Sequence, residues 1–262
     1  MSTTATFGID LAAQPKNTAG CLIEWDERGR GRVQRPLERL DDRALLDRMA
    51  AADEVTKVAI DAPFGWPETF VRSIPAYQDD GRWPDPPGSS ASQAALRLRA
   101  TDLATRRLTG LTPLSVSTDR IGVVAMRCAR LLVGAQLACG AGIDRSGAGR
   151  FLEVYPAAAL RQWELSPSAS DDPGSYKGAD PRARRRRRWI VDTLCRMTSG
   201  RLQIEEATRS VCIDSDHCLD ALIASLTARA GERDLLEPVQ DPAAARTEGW
   251  IRIPRRGSLE SL

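Results

Sequence analysis

The chain has 262 residues, with 37 Lys and Arg against 35 Asp and Glu, a formal net charge of +2, and 42% apolar and 27% charged residues. This ordinary balance excludes wholesale disorder and a membrane-embedded protein, and the length suffices for one large domain, or two small ones, with a substantial core. The longest uncharged stretch near mid-chain, 131–143, has 13 residues, against the about 20 that a spanning helix needs.

The first ten residues hold neither a basic region nor an apolar core, so a cytoplasmic protein without a secretion signal is expected. Residues 4–12 read as a strand, followed by strands at 18–25 and 31–36 around the turn signal Asp26-Glu27-Arg28-Gly29, which together suggest a meander. Asp41 caps a helix running to Ala52, with Leu45, Leu46 and Met49 at helical spacing. Residues 55–61 form an apolar strand that stops at Asp61-Ala62-Pro63. Because that strand follows a crossover helix, the sheet is expected to be mixed.

Further along, 84–92 is a Pro- and Gly-rich loop, 92–108 and 120–139 are helices, and 150–155 is a short strand stopped by Pro156. Residues 166–181 are rich in Ser, Asp, Gly and Pro, which reads as a loop or a partly disordered insert. Helices follow at 189–197 and from Asp214 to about Arg229, and a last strand at 250–253. No internal repeat is evident. The six cysteines are scattered without a Cys-x-x-Cys pair, so they are read as small apolar fillers, not as disulfides or zinc ligands.

Of the 37 cations, 34 are Arg, and six of these lie within 182–188. Without that cluster the rest of the chain nets −4. Global charge therefore does not mark a nucleic-acid binder, and one local cluster is left as a candidate contact.

The acids carry the chemistry. Asp10 lies inside the apolar run Phe7-Gly8-Ile9-Asp10-Leu11-Ala12, Asp61 closes Val58-Ala59-Ile60-Asp61, and Glu153 interrupts Phe151-Leu152-Glu153-Val154-Tyr155. Carboxylates are depleted in strands and seldom buried unless their charge is compensated. On the helix beginning near Asp214, Asp216 and Asp220 project about 40° apart, with His217 in the same broad sector. Leu219, Leu222, Ile223 and Leu226 make the adjoining apolar stripe, so the acidic face borders the buried one. Plainer readings stand beside this one. A strand Asp can cap a turn or pair with Arg, Asp214 and Asp216 can be capping acids at a helix start, and a lone His is commonly structural. Asp220 is too far along its helix to be a cap. Converging carboxylates call for cations, and hard oxygen ligands favour Mg2+ or Mn2+. Two such ions about 4 Å apart activate a water and stabilise the leaving oxygen in phosphodiester cleavage.

Six blocks in order resemble the family catalogued as domain of unknown function 429: Gly8-Ile9-Asp10-Leu11-Ala12, Ile60-Asp61-Ala62-Pro63-Phe64-Gly65-Trp66-Pro67, Arg99-Ala100-Thr101-Asp102, residues 113–122, Glu153-Val154-Tyr155-Pro156-Ala157 and Asp220-Ala221. That resemblance spans about 5–254 and implies an α/β, RNase H-like mixed sheet of three antiparallel strands followed by parallel strands, flanked by helices. It implies one domain over 1–262, with loop and helical insertions around 67–145 and 164–200. It also implies nuclease activity, with Asp10, Asp61 and Asp220 as metal ligands. The pair His217 and Asp220 is similar to the final-helix pair of RuvC-type Holliday-junction resolvases, and Asp216 competes with His217 for the partner position. By the same resemblance Glu153 is either a ligand or a structural acceptor.

Arg99 and Asp102 lie three apart on one helix face, and Asp119-Arg120 opens the next helix. They read either as a capping box and an ion pair or as a polar wall with an Arg clamping phosphate. The cluster containing Arg185 and Arg186 is either a phosphate-backbone contact or a solvated helix face, and Tyr176, Lys177 and Trp189 nearby suit a base or sugar platform. The leading expectation is a divalent-metal-dependent nuclease, with Asp10, Asp61 and Asp220 binding metal, and Glu153 and Asp216 or His217 assisting. Nucleic acid is the expected partner and a membrane is not; no dimer surface is marked. The alternatives are a catalytically inactive nucleic-acid or protein binding module, and an actin-like or sugar-kinase-type phosphotransferase. The phosphotransferase is disfavoured because Leu11-Ala12-Ala13-Gln14 follows Asp10 where a Gly-Thr or Gly-Ser turn would be needed.

Overall fold

The computed structural model describes residues 4–51, 55–140, 142–165, 175–198 and 200–262. In β1 (Thr4–Asp10) side chains alternate between the two faces of the sheet. Phe7 and Ile9 enter one apolar cluster, while Thr6, Gly8 and Asp10 face the opposite layer. β2 (Ala19–Trp25) and β3 (Gly31–Val33) continue antiparallel. In the turn between them Gly29 adopts φ 73°, and the Asp26 carboxylate accepts the Arg28 and Arg30 amides. The third strand ends before Pro36, which has no N–H to give the ladder, and the chain returns as β4 (Leu37–Glu38) on the other end of β2.

Asp41 caps α1 (Asp42–Ala50) by accepting the Ala44 amide at 2.8 Å. The chain then crosses to β5 (Lys57–Asp61), parallel to β1. There follow α2 (Glu68–Asp80), α3 (Gln93–Arg97), α4 (Ala100–Thr109), α5 (Ile121–Cys139), β6 (Phe151–Glu153), α6 (Pro156–Gln162), α7 (Pro181–Met197), β7 (Leu202–Gln203), α8 (Glu206–Asp214), α9 (Asp216–Glu232) and α10 (Pro242–Glu248). Among the described residues seven strands form one mixed sheet in the order β6-β5-β1-β2-β3-β7, with β4 on β2. β6 runs parallel to β5, and β7 parallel to β3.

Helices cover both faces. α1 and α5 pack Leu45, Met49, Cys128, Leu131 and Leu132 on Phe7, Ile9, Val58 and Ile60. On the other face α9 supplies Leu219, Leu222 and Ile223, joined by Leu160, Ile190 and Leu194, against Cys21, Ala59 and Leu152. α5 is long and apolar enough by composition to cross a membrane, yet its inner stripe belongs to this core.

Several elements differ from the sequence expectation for identifiable reasons. The helix expected over 92–108 is two helices, because the backbone at Leu98 and Arg99 is extended and Arg99 turns inward. The helix expected from Asp214 begins after a break at Ser215, whose hydroxyl accepts the Cys218 amide, and α8 precedes it. α7 starts at Pro181, capped by Asp180, so the Arg cluster is helical. α2 and α6 were not anticipated: Pro75 lies inside α2, and Pro156, read as a strand stop, is the first residue of α6, where its missing N–H is harmless. In place of a strand over 250–253, Ile251 makes an isolated bridge to Glu153 and Pro254 one to Leu236. Ala52 and 166–174 of the expected insert lie outside the described residues.

The contact between β1 and α9 is unusually close. A Cβ on Gly8 would fall 2.1 Å from the Ala221 carbonyl oxygen and 2.2 Å from the Ser225 amide, so only glycine admits the helix at this distance. Thr6 locks it from below, its hydroxyl meeting Ser225 at 2.9 Å while the Trp25 indole N–H donates to it.

Candidate metal centre

The close packing of α9 brings the acids together. Asp10 and Asp61 are register partners at the ends of adjacent parallel strands, so their side chains leave the same face of the sheet. α9 crosses that face and places Asp220, fully buried, over them. One carboxylate oxygen from each of Asp10, Asp61 and Asp220 lies within 4.8 Å of the others. Oxygens around an octahedral Mg2+ stand about 3 Å apart when adjacent and about 4 Å when opposite, given metal–oxygen distances near 2.1 Å. These three hard oxygens therefore fit a small divalent cation with little closure.

Loss of solvation and mutual repulsion at the centre favour the protonated form of Asp61. Burial, and next the neighbouring Asp10 carboxylate, pushes the Asp61 pKa up to about 7, with Lys177 opposing. Positive and donor groups ring the other two acids. His217 Nδ1 lies 2.6 Å from Asp10 Oδ2, and this hydrogen bond raises the imidazole pKa above its usual value. The Tyr176 hydroxyl donates to Asp220 Oδ1 at 2.8 Å, and the Lys177 ammonium is paired with Asp220 Oδ2. Asp216 sits beside the centre and accepts the Gly178 amide at 2.9 Å. Against the upward pull of burial, that amide together with His217, Lys177 and Arg187 holds its carboxyl below the ordinary range. Thus His217 touches Asp10 directly, whereas Asp216 holds the 176–178 segment that reaches over Asp220.

That segment has an anchor which sequence reading missed. The Arg187 Nη1 donates to the Tyr176 and Gly178 carbonyls at 2.7 and 2.8 Å, and its Nε to the Ile213 carbonyl at 2.8 Å. The signal was present in the spacing: Ala183, Arg187, Ile190, Val191 and Leu194 recur on one helical face, and all are buried. The run of like residues hid it. In the same cluster Arg186 is also buried and Arg185 is exposed.

Glu153 reaches the same end of the sheet on its other face, since alternation puts it with Phe151 and opposite Leu152. There it accepts the Phe64 amide at 2.9 Å and forms a two-pronged pair with Arg99 at 2.7 and 3.0 Å. Arg99 also pairs with Asp102, whose carboxylate returns to the Arg99 amide, so both the capping box and the ion pair exist, fully buried. Burial raises the Glu153 pKa while Arg99 opposes it. Glu248, unremarked in the sequence, extends this network by accepting the Glu68 and Ala100 amides. Asp119 accepts the Ser115 amide, and Arg120 is exposed at the start of α5.

A cleft of about 260 Å³ opens beside Asp61, walled by Pro63, Pro113, Leu114, Ile121, Val154 and Ile251, with Tyr155, Lys177, Arg99 and Glu153 as its polar groups.

In comparison with known proteins, the model of the family described as "Protein of unknown function (DUF429)" matches residues 8–245. No curated protein and no solved structure matches the chain.

Proposed function

The chain belongs to that DUF429 family, and from this premise and the acid centre we propose a divalent-metal-dependent phosphodiesterase that hydrolyses nucleic acid on an RNase H-like fold. The observation that carries the reading is the convergence of Asp10, Asp61 and Asp220 within 4.8 Å at the ends of paired strands and a tightly docked helix. The fold assignment is supported by the strand order, in which an antiparallel meander of β1 to β3 is flanked on the β1 side by parallel β5 and β6.

Mg2+ or Mn2+ held by the three acids would supply the Lewis acidity and the activated water that phosphodiester cleavage needs. The residues of the chain divide the remaining work. Asp10, Asp61 and Asp220 hold the cation, and His217 orients Asp10 through Nδ1, leaving Nε2 to exchange a proton with solvent. Lys177, whose side chain is half exposed, turns its ammonium toward a phosphate when a cation takes over Asp220. The Arg99–Glu153 pair fixes the loop after Asp61 through the Phe64 amide. Exposed Arg182, Arg184, Arg185 and Arg188 on α7 offer a salt-dependent contact to the phosphate backbone. The six cysteines are all free thiols, which suits a reducing compartment, and we place the activity in the cytoplasm.

The test is Mn2+-dependent cleavage of end-labelled RNA, DNA and hybrid oligonucleotides by the full chain. Asp10→Asn is expected to lower the rate by about 100-fold or more, at least the upper range for losing a group that only supports a metal ligand, with an unchanged circular dichroism spectrum. Full activity in that variant refutes the proposal.

A further inference from the structure

We propose that the cleft beside the acid centre seats one unpaired nucleobase, so that the substrate is single-stranded nucleic acid and not the interior of a duplex. This inference rests on the phosphodiesterase reading and names its substrate class.

Position comes first. Ala62 and Pro63 directly follow Asp61 and line the cleft, and Lys177, which touches Asp220, lines it too. A phosphate at the acids therefore has its attached nucleoside within reach of this opening.

Chemistry comes second. Pro63, Pro113, Leu114, Ile121, Val154 and Ile251 give apolar walls that accept a flat, weakly hydrated ring, while Lys177 at the edge beside the acids is left for the phosphate. Leu114 stands at 61% exposure in the wall, an apolar surface that a stacked base would cover. Half-buried Tyr155 adds a ring and a hydroxyl that meets no hydrogen-bonding partner among the described residues.

Size comes third. At about 260 Å³ the cleft lies below the about 300 Å³ where pockets for drug-sized ligands begin. That is room for one nucleobase. A base inside a duplex reaches such a pocket only by leaving the stack, which costs unpairing energy that a single strand does not incur.

The experiment uses the full chain with Mn2+ and measures affinity directly, by calorimetry for adenosine 5′-monophosphate and ribose 5-phosphate, and by anisotropy for a labelled single-stranded hexanucleotide and a labelled duplex. Base stacking of ordinary strength predicts that the nucleotide binds at least about tenfold tighter than the sugar phosphate, and the single strand at least about tenfold tighter than the duplex. Leu114→Ser, at an exposed position, removes part of the wall, and Ile121→Trp fills the opening. Each is expected to weaken nucleotide binding about fivefold or more, with ribose 5-phosphate and Mn2+ affinities unchanged. Equal affinity for nucleotide and sugar phosphate, equal affinity for duplex and single strand, or indifference to both substitutions overturns the assignment. The two readings fail separately. If nucleotides bind with the expected dependence on Leu114 but no oligonucleotide is cut, the hydrolase falls and the base site stands. If duplex and single strand are cut at equal rates, the base site falls and the hydrolase stands.

Discussion

At the level of single residues, the decisive group is Asp61. Its half-buried carboxyl lies beside Asp10, and loss of solvation followed by that neighbour's charge pushes its pKa up to about 7, above the ordinary 3.8. A raised folded-state pKa means that the metal-free protein binds one proton more than the unfolded chain between these values. The stability this gives is fully present below about pH 4 and is lost as pH rises toward 7, at on the order of 1 kcal/mol per pH unit. His217, raised by its bond to Asp10, acts in the same direction, its contribution fading as pH climbs past its folded value. In EDTA, the melting temperature should therefore fall between pH 5 and 7, and Asp61→Asn should flatten the fall; an equal slope in the variant would contradict this assignment. Since a cation requires the ionised carboxylate, Mn2+ affinity should also rise with pH up to about 7, with a proton released on binding. The three acids that converge were legible as candidates in the sequence because a carboxylate within an apolar strand, or beyond the first turn of a helix, lacks an ordinary explanation. Arg187 was not legible, because six arginines in seven positions mask which of them are buried.

The secondary-structure elements show how those residues are held. Gly8 sets the depth of α9 over β1, and Gly8→Ala must push the helix away from the Ala221 carbonyl and Ser225 amide. A destabilisation of about 3 kcal/mol or more is expected by urea unfolding, together with weakened Mn2+ binding, because Asp220 moves with the helix. A variant of wild-type stability would mean that the close approach is absent. Arg99 compensates two buried carboxylates at once. Its replacement by Met leaves Glu153 and Asp102 without a counter-charge, so urea unfolding should report a loss of about 3–5 kcal/mol. Glu153→Gln should cost less, because the Arg99–Asp102 pair and an oxygen acceptor for the Phe64 amide both remain. The meander, α1 and β5 were readable from alternation, caps and turns. The break at Leu98–Arg99 was not, since the local residues favour continuing the helix and only the distant partners Glu153 and Glu248 make the break worthwhile. Glu153 was noticeable for the same reason as the strand aspartates, but strand parity turns it to the opposite face, and its partner arrives from 54 positions earlier.

Across the whole molecule, a mixed sheet was foreseeable from the order of strands and helices, and the family resemblance added the flanking helices. What lay beyond reach was the way the central helix is enclosed: α9 is buried from Cys218 to Ala230, because α6, α7 and α8 close over a face that looked merely amphipathic. The architecture concentrates three acids at one point between two strand ends and a buried helix, so ligand binding there should stabilise the entire fold. Mn2+ at a hundred times its dissociation constant should add about 2.7 kcal/mol and raise the melting temperature by several degrees, an effect absent in Asp220→Asn. The most direct test of the account is calorimetric titration of Mn2+ into the metal-free protein beside the Asp10→Asn/Asp220→Asn double variant. The account predicts saturable binding to the wild type that disappears in the double variant while its circular dichroism is preserved; equal heats in both proteins would show that these acids do not form a metal centre.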